Sequence, residues 1–305
     1  MTATTSSATD RLGRALPAQP KMRPGRWMLE IGVKHAVGIV FIIYAAFPIV
    51  YVVSASLAGQ GATLTGSNRL FRSFDASSYS QLNETTSYWT WFGNTMFIGL
   101  ATAFGTVLMA AAAAYAFSRF RFRGHGFSLN ALLVLQMFPQ LLAFVAVFLL
   151  LLSLGDVVPA LGLDSKIGLV CVYLGGALGA NTFLMYGFFN TVPKELDEAA
   201  KIDGASHARI FFTIILRMVA PVLAVVGLLS FVATFSDFVL ARVLLQSESN
   251  WTLAIGLYQM VSDLQNRNWG LFAAGTVIAA LPVLVLFLVL QRYIVGGLTA
   301  GSVKG

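Results

Sequence analysis

Six apolar runs, each about 20 residues or longer, leave this chain few folds to choose from. They fall near Val33 to Ala58, Phe92 to Phe117, Phe127 to Leu154, Ile167 to Asn190, Met218 to Gln246 and Leu271 to Ile294. A bilayer's hydrocarbon core is about 30 Å thick and a helix rises about 1.5 Å per residue, so runs of this length suit a crossing helix. Within lipid every backbone N–H and C=O must be satisfied inside the protein, which a helix achieves by itself. The expected fold is therefore all-α integral membrane, with six transmembrane helices. Composition agrees: 57% of the residues are hydrophobic and 11% charged, where a soluble domain carries about a quarter charged.

The net charge of +7 would suggest a nucleic-acid partner if it were clustered, but the charges flank the apolar runs. With both termini, the loop around Arg119 and the polar stretch after Asn190 on one side, that side holds 15 Lys and Arg against five on the other. The positive-inside rule then places both termini in the cytoplasm. Residues 1–30, rich in Ser, Thr, Ala and Pro with scattered Arg and Lys, read as a disordered cytoplasmic tail. No apolar core precedes residue 31, so the tail does not read as a cleavable signal peptide. The basic residues and apolar surface imply membrane lipid, and not nucleic acid, as the non-protein partner. The single cysteine, Cys171, lies inside an apolar run and cannot form an internal disulfide.

Enzymatic motifs are absent. The chain has no GxxxxGK[ST] phosphate loop, no HExxH and no GxSxG, so no ATP, zinc-protease or serine-hydrolase chemistry is read from it. His35, His125 and His207 are far apart and no cysteine pair exists, so no metal site is expected.

The most polar stretch between two apolar runs is Thr191 to Pro221. Pro193 suits a first helical turn, and Glu195, Asp197 and Glu198 follow where the helix dipole favours negative charge. Leu196, Ala199, Ala200 and Asp203 share a face at helical spacing; the bland alternative is a solvated, salt-bridged hairpin between two spans in which Asp197 and Lys201 are an ordinary i, i+4 pair. Gly204 interrupts the run, and Ser206 is a candidate N-cap for a second helix whose Phe211, Ile214, Ile215 and Met218 repeat at i, i+3, i+4, i+7. Two short helices bent at a glycine make a rigid projection.

Other polar groups interrupt the spans. In the third, Gln136 and Gln140 flank Pro139, which frees a carbonyl; a structural kink and a polar pathway lining are equally good readings. In the fourth, Gly175 and Gly179 form a GxxxG, a helix-packing motif. The fifth holds Asp237, a costly residue in lipid that either lines a pathway or pairs with Arg242 or with a residue on another subunit. Tyr88, Trp89 and Trp91 mark an interface, and the small-residue run Ala110 to Ala114 suits close helix packing. Near the C-terminus, Gly296, Gly297, Gly301 and Gly305 argue against a packed helix.

Glu198-Ala199-Ala200, then Asp203-Gly204-Ala205 and an isoleucine/leucine run, resemble the EAA loop of ATP-binding-cassette (ABC) importer permeases. The ending Gly297-Leu298-Thr299-Ala300-Gly301-Ser302-Val303-Lys304-Gly305 and the last external loop, with Asn250, Thr252, Leu253, Ala254 and Gly256, are similar to the MalG-type smaller permease of maltose and maltodextrin importers. The resemblance covers most of the chain from the first span onward, and one departure is Arg217 where the family commonly has proline.

The resemblance implies an ABC type I importer permease fold with cytoplasmic EAA coupling helices. The domains would be the tail, a six-helix permease domain over residues 31–296 with a coupling loop at 191–217 and a last external loop at 247–269, and a cytoplasmic tail at 297–305. It implies that Glu198, Ala199, Ala200, Asp203, Gly204 and Ala205 couple to an ATPase, and that Gly301, Val303, Lys304 and Gly305 touch it. It also implies that Asn250, Trp251, Tyr258, Gln259, Gln265 and Asn266 meet a binding protein, leaving Gln136, Gln140 and Asp237 as pathway candidates. The partners would be a second permease, two ABC ATPase subunits and an extracellular sugar-binding protein. ATP and Mg would sit on the partner subunits and no cofactor on this chain. Trehalose or another oligosaccharide is the alternative cargo, and a secondary transporter the alternative class.

Overall fold

A computed structural model of the chain describes residues 28–59, 70–71, 73–138, 140–262 and 267–302. The described residues are helical and contain no strand; one isolated parallel bridge joins Ala58 to Asp75. Contacts divide the chain into two compact units, Met1–Tyr51 and Val52–Gly305. In the first, a π-helical turn over Met28–Gly32 runs into helix α1 (Val33–Ser56). Glu30–Ser56 is long and apolar enough to cross a membrane.

The second unit continues with α2 (Ser77–Thr85), α3 (Tyr88–Arg119), α4 (His125–Gln136), α5 (Phe144–Gly155) and α6 (Lys166–Phe189). Then come α7 (Glu195–Ile202), α8 (His207–Met218), α9 (Ala220–Ser236), α10 (Val239–Leu244), α11 (Leu253–Ser262) and α12 (Trp269–Ser302). Helix α3 lies at the centre, packed against α6 and α9. Small residues allow this closeness. A Cβ on Gly99 would sit 3.0 Å from the Phe231 ring of α9, and one on Gly105 would sit 2.7 Å from Leu174 of α6.

Three buried clusters lie along α3. Tyr88 and Trp91 pack with Leu82, Leu253 and Leu271 at one end, and Ile98 packs with Leu169, Leu244 and Ile255. At the other end Ala110, Ala111, Ala114 and Tyr115 pack with Met185, Phe189, Ile210, Phe211 and Ile215. Of the alanine run predicted to pack closely, Ala110, Ala111 and Ala114 are buried in this cluster, Ala113 is half-buried and Ala112 is exposed.

Not every apolar run forms a single unbroken helix. Among the described residues four helices are long and apolar enough to cross a membrane, or five if α8 and α9, bent by 81°, are taken together. The third apolar run divides into α4 and α5, with a 3₁₀ turn over Gln140–Ala143 between them. The sequence there contains Pro139, which has no N–H to give and disfavours helix in the residue before it. The fifth run divides twice. Val219 leaves the helical region at φ −94°, ψ 9°, just before a helix that opens with Ala220 and Pro221. At the other end α9 stops where Asp237 adopts extended backbone. The chain turns sharply here, two residues after Arg217, and Pro221 suits the first turn of the following helix.

The C-terminus differs from the expectation. Helix α12 runs on through Gly296, Gly297 and Gly301 to Ser302, where the glycines predicted a non-helical tail from residue 297. Glycine inside a helix costs about 1 kcal/mol relative to alanine, too little at each position to stop an established ladder. The tail at residues 1–27, the contacts Val303, Lys304 and Gly305, and the loop residues Gln265 and Asn266 lie outside the described residues.

Candidate functional site

Two polar constructions occupy the two ends of α3, which at 32 residues is about 48 Å long. At the Arg119 end the chain builds a helical hairpin from α7 and α8. Helix α7 begins at Glu195, two residues after Pro193, and carries Glu195, Asp197 and Glu198 in its first turn. It ends in a Schellman motif: Ala205 N donates to Ala200 O and Gly204 N donates to Lys201 O, both at 2.9 Å. Gly204 has φ +78°, a conformation that glycine adopts without a Cβ penalty. Ser206 then caps α8, its Oγ accepting from Arg209 N at 3.3 Å. Glycine and cap both sit where local chemistry placed them.

The hairpin shows its faces unevenly. Asp197 and Ala200 point inward and are buried, whereas Glu198, Ala199, Asp203 and Gly204 are exposed and Ala205 is half-buried. Ala200 lies in the cluster with Tyr115 and Phe211, so it holds α7 against the body of the protein. Ile202, the last residue of the helix, points outward and is 88% exposed.

Asp197 does not belong to an i, i+4 pair with Lys201. Its carboxylate forms an ion pair with the Arg119 guanidinium at the end of α3, and both side chains are buried. Arg119 also donates to the carbonyls of Phe189, at 3.3 Å, and Val192, at 3.0 Å, just at and past the end of α6. One side chain thus joins three helices. Removing one member of a buried ion pair typically costs about 3–5 kcal/mol, because the other charge stays buried without a partner. Aromatic rings surround the joint: Tyr115 lies 5.1 Å from Phe211, and Phe120 lies 5.1 Å from His207.

At the Tyr88 end the centre is Asn94, buried on α3. Its Nδ2 donates to the carbonyls of Ser249 and Trp251, at 2.8 and 3.0 Å, and its Oδ1 accepts from Lys166 Nζ at 3.0 Å. One turn of helix lies nearby, where Thr95 Oγ1 accepts from Leu253 N at 2.7 Å at the start of α11. Asp164 closes the other side. It adopts φ +57°, and its Oδ1 accepts from Gln246 N and Ser247 N, both at 2.9 Å. Burial pushes the Asp164 carboxyl up, but hydrogen bonds from Ser247, Gln246 and Asn250 outweigh it and hold the group below the usual carboxylate range.

The predicted binding-protein contacts separate into two groups. Asn250 Nδ2 donates to Asp164 O at 2.7 Å. Trp251 donates from Nε1 to Gln246 O at 3.1 Å and lies beneath the Arg242 guanidinium. Both are fastened within the chain. Tyr258 and Gln259, on α11, are exposed, with the Tyr258 ring 4.7 Å from Phe238.

Of the three pathway candidates, Gln136 and Asp237 both bond to α6, at positions three residues apart. Gln136 Nε2 donates to Gly176 O at 3.1 Å, joining α4 to α6. Gly179 of the GxxxG is the close-approach position, where a Cβ would sit 2.6 Å from that same amide; Gly175 has open space. Gln140 opens the 3₁₀ turn between α4 and α5. Asp237 Oδ1 accepts from Tyr173 OH at 2.8 Å and from Ala241 N at 3.1 Å, so it caps the first turn of α10. Arg242 stacks on Trp251 and forms no ion pair with Asp237 among the described residues. Nor do three potential metal ligands come together among the described residues.

Sequence reading missed Arg119, Asn94, Asp164 and Tyr173 as site residues. Arg119 counted only as a topology charge, and no local pattern points across 78 positions to Asp197.

These features define a multi-pass helical membrane protein with a capped helical hairpin at one end of its central helix and a fastened loop at the other. Comparison with known proteins agrees. Residues 106–299 match the family described as the binding-protein-dependent transport system inner membrane component. The maltodextrin permease MdxG of Bacillus subtilis is 41% identical over 227 residues, covering 74% of this chain and 80% of that protein. The maltose/maltodextrin permease MalG of Escherichia coli K12 is 36% identical over 301 residues, covering 94% and 99%. A crystal structure of a bacterial ABC transporter involved in alginate import has a chain that superposes with a TM-score of 0.75 at 25% identity, covering 90% of this chain and 99% of its own. The chain belongs to the binding-protein-dependent transport system inner membrane component family, and within it to the MalG type of ABC importer permease.

Proposed function

We propose that this chain is the permease subunit of an ATP-driven carbohydrate importer whose cargo is maltose or maltodextrin. The observation that carries the reading is the α7–α8 hairpin: a short acidic helix, closed by a Schellman glycine and a serine cap, whose outward face ends in Ile202. Its exposed Glu198, Ala199, Asp203 and Gly204 suit a cleft on a cytoplasmic ATPase. Ala200 and Ala205 set the spacing behind them. In this reading ATP and Mg bind two partner ATPases, and the hairpin moves as one lever when they close. A second permease completes the transmembrane pair, and the two exchange inward-open for outward-open packing.

The six crossings of the reading are α1, α3, the broken pair α4 and α5, α6, the pair α9 and α10, and α12, with both termini in the cytoplasm. On the opposite side a sugar-binding protein meets the exposed α11 residues Tyr258 and Gln259 and the adjoining Gln265 and Asn266. Asn250 and Trp251 hold the base of that loop. In this reading Gly301, Val303, Lys304 and Gly305 touch the ATPases. Gln136, Gln140 and Asp237 serve the helix breaks that shape the pathway.

The test is ATP hydrolysis by the complex purified in lipid with its binding protein, across maltose, maltodextrins, trehalose and unrelated solutes. Stimulation by maltose or maltodextrin supports the assignment. Stimulation by a different carbohydrate alone moves the cargo to another oligosaccharide, a reading favoured by the likeness to an alginate importer. No co-purifying ATPase and no stimulation by any sugar refutes the importer reading.

A further inference from the structure

We propose that Arg119 is a positioning residue. It locks the α7 hairpin to the α3–α6 helix pair, so that the pair works as a strut joining the hairpin to the loop over residues 245–253. The inference rests on the importer reading above and specifies the route by which its two ends communicate.

The geometry points to the strut because α3 and α6, which pack side by side, are fastened to each other at both ends. At one end Asn94 of α3 accepts from Lys166, the first residue of α6. At the other, Arg119 of α3 donates to Phe189 O and Val192 O at the end of α6. Each fastening also holds a different outside segment. Asn94 holds the carbonyls of Ser249 and Trp251, and Arg119 holds the Asp197 carboxylate of α7. The two nodes are 25 residues apart on one unbroken helix, about 37 Å at 1.5 Å per residue. A helix this well packed passes on displacement rather than absorbing it.

The joint at Arg119 is not built for static stability alone. Both Asp197 carboxylate oxygens are buried and, apart from the ion pair with Arg119, neither has a hydrogen-bond donor among the described residues. A buried carboxylate whose oxygens lack such donors gains less than a fully bonded one. Two apolar residues of the same volume would serve packing equally well. What the ion pair adds is registry: Arg119 meets Asp197 at one position of α7 only, so a turn of α7 must carry α3 with it. Residues that lie between two sites show a route only when perturbing them alters the coupling, so the test is a cycle of variants.

The experiment uses the whole complex in lipid with its sugar-loaded binding protein. Asp197→Asn, Arg119→Lys, their double variant and Asn94→Ala are compared with wild type for the amount of ATPase co-purified, the KM for ATP and the fold-stimulation of hydrolysis by the binding protein. With Asp197→Asn we expect ATPase recovery and KM within about twofold of wild type and stimulation reduced about tenfold, a factor equivalent to about 1.4 kcal/mol of coupling. The double variant should be no worse than the more impaired single variant by more than about twofold, as for two halves of one contact. Asn94→Ala should lower the same stimulation from the far end of α3.

Stimulation at the wild-type level in Asp197→Asn, additive losses in the double variant, or loss of ATPase from the complex would each overturn the proposal. The last result would make the pair a docking element only. Should the neutral variant fail to insert, Arg119→Lys decides, since it keeps the buried charge but loses the planar fork: reduced stimulation supports the strut and normal stimulation overturns it. A wild-type complex that no sugar stimulates refutes the importer reading, not the joint.

Discussion

Gly256 makes a close contact in the second unit, and filling it is a direct test of how α11 is held. A Cβ at this position would lie 2.0, 2.4 and 2.5 Å from Cε3, Cδ2 and Cζ3 of the Trp91 indole. Carbon atoms prefer about 3.5–4.0 Å, so Gly256→Ala requires α11 and α3 to part by about 1.5 Å or the indole to turn. Trp91 is only 4% exposed and has Trp251 beside it, which leaves no easy rotation. Overpacking of this kind costs about 1–3 kcal/mol, and this contact belongs at the upper end. Alanine returns about 1 kcal/mol of helix propensity, for a net loss of about 2 kcal/mol.

The thermal midpoint of the purified protein in detergent should therefore fall by about 4–8 °C. Gly93→Ala is the control, because a Cβ there meets nothing within 4 Å on the same end of α3; its midpoint should hold or rise. Trp91 Nε1 has no hydrogen-bond partner among the described residues, so Trp91→Leu can make room for the methyl. The double variant should recover at least about 1 kcal/mol relative to the sum of the two singles. Equal midpoints for Gly256→Ala and Gly93→Ala, or simple additivity with Trp91→Leu, would refute the argument that α11 is seated by steric fit to the indole.

Three further outcomes follow from particular contacts. Asp164 has a lowered folded pKa, so its contribution is present above the unfolded value of about 3.9 and is lost as pH falls through the folded one; hydrogen exchange at the Gln246 and Ser247 amides should accelerate in that acid window, and Asp164→Asn should remove the pH dependence. Tyr173→Phe deletes a donor to the Asp237 carboxylate and should cost about 1.5–3 kcal/mol, more than Asp237→Asn, whose amide oxygen still accepts; a midpoint for Tyr173→Phe at or above that of Asp237→Asn would contradict this. Gly204→Ala places a Cβ at φ +78° and should cost about 1–2 kcal/mol, whereas Gly204→Asp should keep binding-protein affinity and lower sugar uptake per ATP hydrolysed; an unchanged uptake ratio would remove Gly204 from the coupling.

Local physics made much of the molecule legible from its residues. Runs of apolar side chains long enough to span lipid are helical whatever their neighbours do, because no other segment satisfies its own backbone there. Gly204 and Ser206 were readable for the same reason: a left-handed C-cap and a side-chain N-cap involve atoms within five residues. The chain family was legible too, through the residues of the hairpin and of the ending. Less legible was where a run would stop. Proline and glycine signals placed the break near Pro139, but Gly296 and Gly297 remained helical because each costs little once the ladder exists.

Only the tertiary structure decided what the polar residues do. Asp197 had a lysine four residues away and bonded instead to Arg119, 78 positions earlier, because the meeting of α3, α6 and α7 buries it beside that guanidinium. Asp237 had Arg242 nearby and bonded to Tyr173, while Arg242 turned to Trp251. Asn94 carried no sequence signal and became the fastening of a loop 155 to 157 positions away. Sequence alone determines where a chain must be helical, since that depends on neighbours a few residues off. Which buried charge meets which partner depends on the packing of helices far apart in sequence, and there the cost of leaving a polar group unpaired selects the partner.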